Sequence, residues 1–179
     1  KRGVQITCET CPHYFTFTVD EVLKSGANAK MNPPLREEKD RLAIIQGLKE
    51  GTIDCIITDH APHSEEEKER GLEKAPNGII GFETALSCEI MKLIDTNELT
   101  YKDLVKVTSY NPAKLLKLEN KGTIEVGKDA DLTIFDPNLE YVYKKENIVS
   151  KAKNSPFIDK KLKGKVIYTI VGGWVVFED

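Results

Sequence analysis

Ile53-Asp54-Cys55-Ile56-Ile57-Thr58-Asp59-His60-Ala61-Pro62-His63 is the stretch on which the fold turns. Residues 53–57 form a short apolar run that reads as a buried strand. Asp59 stands at its C-terminal tip, and His60 and His63 follow in a loop stiffened by Pro62. This is the end of a strand at which α/β barrels place their chemistry. The chain has only three histidines, His13, His60 and His63, too few for the metal site this stretch suggests.

Strand and helix signals alternate around it over the first ~120 residues, the pattern of an α/β arrangement with parallel strands. Upstream, Val4-Gln5-Ile6-Thr7-Cys8 predicts a strand ending near Pro12, and residues 19–24 predict a short helix stopped by Gly26. Asn32-Pro33-Pro34-Leu35-Arg36 is a stiff loop, because paired prolines forbid helix there. Residues 37–49 predict a helix, with Leu42, Ile45 and Leu48 recurring every three residues and Gly51 as its stop.

Downstream, residues 64–74 are charged and nearly without apolar side chains, which predicts a mobile surface loop. Phe82, Leu86, Ile90 and Leu93 share one face of a long helix predicted over 82–94. Thr100, with Asp103 three residues on, is a credible N-cap for a helix that Asn111-Pro112 interrupts or kinks and that resumes over 113–118. After Gly122 short β-rich segments take over (132–135, 141–143, 166–171, 174–177), and Gly172-Gly173 is a two-residue hairpin signal. The expected division is residues 1–121 for the α/β part and 122–179 for a small β module packed on it. Lys160, Lys161, Lys163 and Lys165 read as a solvated turn.

Composition narrows the function classes. Lys plus Arg (26) nearly balances Asp plus Glu (29), so no nucleic-acid or membrane surface is implied. The 40% hydrophobic and 31% charged content suits a soluble protein with a sizeable core. No apolar run approaches the ~20 residues that span a bilayer, and no signal-peptide pattern opens the chain. Cys8 and Cys11 have C-x-x-C spacing, which suits a redox pair or half of a zinc site. The motif closes a strand and no second pair follows, so all four cysteines are expected to be reduced thiols of a cytoplasmic protein. Lys1 in place of Met, with a strand already under way, suggests a fragment.

Asp59 at a buried strand end is partly desolvated and needs a partner. It could bind a divalent metal and pass protons to a leaving group, or it could cap the loop by accepting backbone N–H bonds. His60 reads as a hydrogen-bonded support, and His63, farther along the loop, could reach a bound substrate. Asn32 offers both a donor and an acceptor to an amide or imide ligand, or fixes its loop as an Asx-turn. Asn77-Gly78 could expose backbone N–H groups to a ligand or form a turn.

Taken together, three segments strongly resemble dihydroorotase of the amidohydrolase superfamily: residues 32–36 (Asn-Pro-Pro-Leu-Arg), residues 58–63 (Thr-Asp-His-Ala-Pro-His) and residues 78–84 (Gly-Ile-Ile-Gly-Phe-Glu-Thr). Asn111-Pro112-Ala113 and the run from Gly122 to Leu132 resemble the wider superfamily; Asn154-x-Pro156-Phe157 and Lys163-Gly164-Lys165-Val166 again resemble dihydroorotase. The resemblance implies a (β/α)8 TIM-type barrel with a composite β module and one or two zinc ions. It implies interconversion of N-carbamoyl-L-aspartate and (S)-dihydroorotate in pyrimidine biosynthesis. Asp59 matches the family's last-strand carboxylate, which binds zinc and moves a proton from the attacking water to the leaving nitrogen. Asn32, His63 and Asn77-Gly78 match positions that contact the substrate. The partners implied are the small-molecule substrate, a second copy in a homodimer, or aspartate transcarbamoylase.

The departures are as telling. The family's His-x-His pair, its bridging Lys or Asp and its later His ligands have no counterpart here, and Tyr14 stands where a second His is usual. A barrel takes ~250 residues. The chain is therefore expected to hold the last two barrel strands, their helices and part of the module. A zinc site needs about three or four ligands, so the isolated chain is expected to be inactive and to retain little zinc. A related cyclic amidase acting on hydantoins, dihydropyrimidines or allantoin is the alternative enzyme, and a metal-free scaffold subunit the alternative of a different class.

Overall fold

The computed structural model describes residues 3–179. A parallel pair lies under the site: β1 (Glu9–Thr10) runs beside β2 (Cys55–Ile56), with Glu9 opposite Cys55 and Thr10 opposite Ile56. Asp54 N–H to the Cys8 carbonyl and Ile57 N–H to the Thr10 carbonyl, each 2.8 Å, extend the ladder. The crossover runs through α1 (Pro12–Thr16), α2 (Asp20–Ser25) and α3 (Glu38–Glu50), the long connection that a parallel pair requires. Asp40 accepts the Glu37 N–H at 3.2 Å at the start of α3, and Gly51 ends it at φ +70°.

After β2 come α4 (Glu65–Lys68) and α5 (Gly71–Lys74), and the chain then returns beside residue 60. His60 and Ile79 form a single parallel bridge, and Ala61 N–H reaches the Ile79 carbonyl at 2.8 Å. α6 (Ala85–Glu89) runs on into a π-helical turn, Ile90–Ile94. α7 (Tyr101–Val105), a second π turn (Lys106–Tyr110) and α8 (Asn111–Leu115) form another rod. The antiparallel sheet β3 (Leu132–Val142), β4 (Lys161–Val171) and β5 (Trp174–Glu178) closes the chain. Gly172 and Gly173 turn between β4 and β5 at φ +57° and +83°, the left-handed pair such a hairpin needs.

Several elements depart from the sequence expectation. Residues 4–7 are not strand: Val4 and Ile6 are 71% and 82% exposed, and a strand needs a neighbour to pair with. Residues 64–74 are not a loose loop but two short helices; Ser64 caps α4 by accepting the Glu67 N–H, and Lys68 is buried. The helix expected over 82–94 starts only at Ala85, and Leu42 of α3, expected inside, is half exposed. Pro112 does not break its rod, because its missing N–H falls where the π turn hands over to α8. Segments 132–135 and 141–143 are one strand with irregular register, not two. Lys161, Lys163 and Lys165 lie on β4 rather than in a turn; Lys163 pairs with Asp95 and Lys165 with Asp179, while Lys160 beside them pairs with Glu21.

One apolar cluster joins the helical and β-rich parts. It runs from Phe15, Ile79, Ile80 and Leu93 to Tyr143, Phe157 and Leu162. Burying each such side chain contributes roughly 1.5–3 kcal/mol, so the sheet is held by the same core as the site. At the junction Ser87 Oγ donates to the Gly164 carbonyl at 2.7 Å.

Candidate active site

Three residues beyond β2, Asp59 holds φ +48°, a left-handed backbone uncommon outside glycine. Cys11 and His13 follow β1 as Asp59 follows β2, and parallel neighbours bring those C-terminal ends together. The three residues offer a carboxylate oxygen, a sulfur and an imidazole nitrogen, all within 4.8 Å of one another. Burial, reinforced by the charges of Asp59 and Glu9, pushes the Cys11 thiol up to about 12. Burial pulls the His13 imidazole down to about 4, so it is neutral near pH 7. The Tyr14 phenol is raised by burial first, then by Cys11 and Asp59. His13 Nε2 is buried and finds no hydrogen-bond partner among the described residues, an unmatched polar atom of a kind that native interiors rarely keep.

The second half of the site is a pair of loops pressed together. His60 accepts the Gly81 and Phe82 N–H groups on Nδ1, at 3.0 and 3.4 Å. Its ring lies flat on Phe82, centroids 3.9 Å apart and planes 2° from parallel. His60 is thus a support between the loops, and Phe82, 68% exposed, serves this stack rather than a helix face. His63 Nε2 lies 2.9 Å from the Asn77 carbonyl; a carbonyl only accepts, so Nε2 carries a proton. Glu67, held low by its hydrogen bonds with Ser64, places Oε2 3.9 Å from the other ring nitrogen.

Gly78 takes φ +103°, and a Cβ there would lie 2.5 Å from the Cβ of Ala61, so only glycine allows this approach. Its N–H donates to the Lys30 carbonyl at 2.8 Å, which ties the loop of Asn32 to the same group. Asn32 itself is exposed, and the Tyr14 hydroxyl donates to the Pro33 carbonyl beside it at 2.9 Å. Hydrogen bonds therefore gather His63, Asn77 and Gly78 into one group, with the Asn32 loop attached. Asp59 belongs to the adjoining Cys11–His13 group.

A profile of the amidohydrolase family matches residues 3–176. The chain belongs to the amidohydrolase family. It is 56% identical over 179 residues to the dihydroorotase of Endomicrobium trichonymphae, covering 99% of this chain and 42% of that protein. It is 54% identical over 173 residues to the dihydroorotase of Ruminiclostridium cellulolyticum, covering 97% of this chain and 40% of the relative. Among solved structures, the L-hydantoinase (dihydropyrimidinase) of Arthrobacter aurescens superposes with a TM-score of 0.91 at 35% identity, over 96% of this chain and 39% of the other. The chain thus spans about two fifths of the length of the relatives it matches. Among the described residues, no helix is long and apolar enough to cross a membrane.

For this amidohydrolase the fit to zinc can be judged from the donors present. Oxygen, sulfur and nitrogen are the atoms zinc takes, and His13 is already in its neutral, ligating form. A bond to His13 Nε2 would satisfy the unmatched atom, whereas Cys11 would first have to lose its proton. The cluster fits one side of an ion. Cys11 and His13 are the members that sequence reasoning passed over: the C-x-x-C spacing drew attention, but the residue that completes the cluster lies 48 positions beyond Cys11. Asn154, which joins the two loops, was visible only as part of a motif.

Proposed function

We propose that this chain is the C-terminal part of a zinc-dependent dihydroorotase, interconverting N-carbamoyl-L-aspartate and (S)-dihydroorotate. The observation that carries the reading is 56% identity to a dihydroorotase over 99% of the chain. In the proposed whole, residues 1–121 supply the last two strands and helices of a (β/α)8 barrel, and residues 122–179 supply part of the composite β module. The parallel β1–β2 pair, with Asp59 beyond its C-terminal end, supports the barrel reading. The antiparallel β3–β4–β5 sheet supports the module.

Zinc, when bound, polarises the ring carbonyl and the attacking water. Asp59 would hold it, with Cys11 and His13 within ligand reach. In the hydrolytic direction the Asp59 carboxylate accepts the proton that water loses as its oxygen bonds to the amide carbon. It returns that proton to the ring nitrogen as the C–N bond breaks, and cyclisation retraces the path. Asn32 presents a neutral donor and acceptor to the ring. His63, already oriented by Asn77, and Gly78 line the substrate side.

A second reading, a cyclic amidase for uncharged rings, is favoured by the likeness to L-hydantoinase, though identity there is only 35%. Steady-state kinetics of the intact protein separate the two. The expected result is a kcat/KM for dihydroorotate at least ~100-fold above those for hydantoin, dihydrouracil and allantoin. Preference for any uncharged ring would replace the first reading by the second.

A further inference from the structure

We infer that Asn154 is a positioning residue, which holds the His63 and Gly78 loops in register from the β-rich side of the chain. The inference rests on the functional reading above, which sets those loops against the substrate. Asn154 is 4% exposed and lies between β3 and β4, far along the chain from both loops. Its Oδ1 accepts the His63 N–H at 3.1 Å. Its Nδ2 donates to the Ala61 carbonyl at 2.9 Å and to the Gly78 carbonyl at 3.2 Å. Its own backbone carbonyl accepts the Ile80 N–H at 3.1 Å.

The chemistry of this position is specific. The site asks for one acceptor and two donors on a short planar group, which the asparagine carboxamide supplies. Aspartate would keep the acceptor but turn an anion towards two carbonyls. Alanine would leave a part-buried N–H, a part-buried carbonyl and the buried Gly78 carbonyl without this partner. Leucine would fill the space and match none of them.

The consequence falls on His63. Its ring is held by the Asn77 carbonyl and its backbone by Asn154, so both ends of the residue are set before a ligand arrives. Groups fixed in advance lose less freedom on binding. None of the Asn154 hydrogen bonds reaches Asp59, Cys11 or His13. Loss of Asn154 is therefore expected to weaken substrate binding and to spare both the metal and the proton transfer.

The test uses the intact protein and Asn154→Ala, with Asn154→Ser (which keeps one hydroxyl) read by the same criteria should the alanine variant not fold. Expected is a KM for dihydroorotate raised ~10-fold with kcat within ~3-fold of the parent, and the same zinc content. Adding His63→Ala to Asn154→Ala should raise KM by less than ~2-fold further, because the two residues act as one unit. Amide hydrogen exchange should quicken over residues 60–64 and 77–82 and stay unchanged in β3–β4–β5. A fall in kcat at constant KM, full additivity with His63→Ala, or unchanged exchange in both loops would overturn the inference. If the parent protein turns over no dihydroorotate, the functional reading fails, and exchange alone decides Asn154: faster exchange confined to the two loops upholds the positioning role, and unchanged exchange removes it.

Discussion

Asp59 keeps a left-handed backbone that costs a non-glycine residue on the order of 1 kcal/mol, and it does so where its carboxylate meets Cys11 and His13. Its place could be read from the sequence, since an apolar run followed by Asp-His-x-Pro-His marks the tip of a strand. What surrounds it could not, because β1 and β2 become neighbours only through a crossover of some forty residues. Replacing Asp59 by Ala in the intact protein should lower kcat by ~1000-fold and reduce zinc content while the far-ultraviolet spectrum stays that of the folded protein. Turnover close to that of the parent would take Asp59 out of the mechanism.

Elements show where local signals suffice and where they do not. The Thr100–Asp103 capping box was legible and is present. Ser64 and Glu67 form the same device, and the density of charge around them hid it. α6 is the opposite case: Ser87, Cys88 and Glu89 are buried together, and nothing in the sequence marks three consecutive inward positions, one of them an acid. Burial pushes the Glu89 carboxyl up to about 8, against an ordinary value near 4.5. Between those values the folded chain keeps a proton that the unfolded chain has lost. The associated stability is whole below about pH 4.5 and is lost as pH rises through about 8. Between pH 5 and pH 8.5 urea melts should lose on the order of a few kcal/mol that Glu89→Gln retains. Parallel pH profiles for the two proteins would show that Glu89 ionises normally.

The whole molecule depends on the seam between α6 and the terminal sheet. Gly164 sits there at φ +90°, and a Cβ would fall 2.2 Å from Ile90 Cδ1, a side chain wholly buried. Gly164→Ala should therefore destabilise by about 2 kcal/mol or more, from both the backbone and the crowding. Ile90→Val, which removes that methyl, should return part of the loss, so the double variant should be more stable than the sum of the singles. Strict additivity in denaturant midpoints would mean that the two residues do not press on each other. Away from that seam, Asn154 in the segment between β3 and β4 bonds to the two loops, which is how the β-rich part comes to bear on the site.

From the linear chain alone came the α/β class, the change of character after Gly122, the strand ahead of Asp59, the Gly172-Gly173 hairpin and the set of residues worth testing. These depend on period, turn chemistry and capping, which act over a few neighbouring positions. Tertiary structure alone decided that Cys11 and His13 stand beside Asp59, that Gly81 and Phe82 are the residues His60 supports, and that Asn154 joins two loops. Each of those facts is a contact between groups far apart along the chain, and local preference carries no record of which distant partner a folded chain will bring within reach.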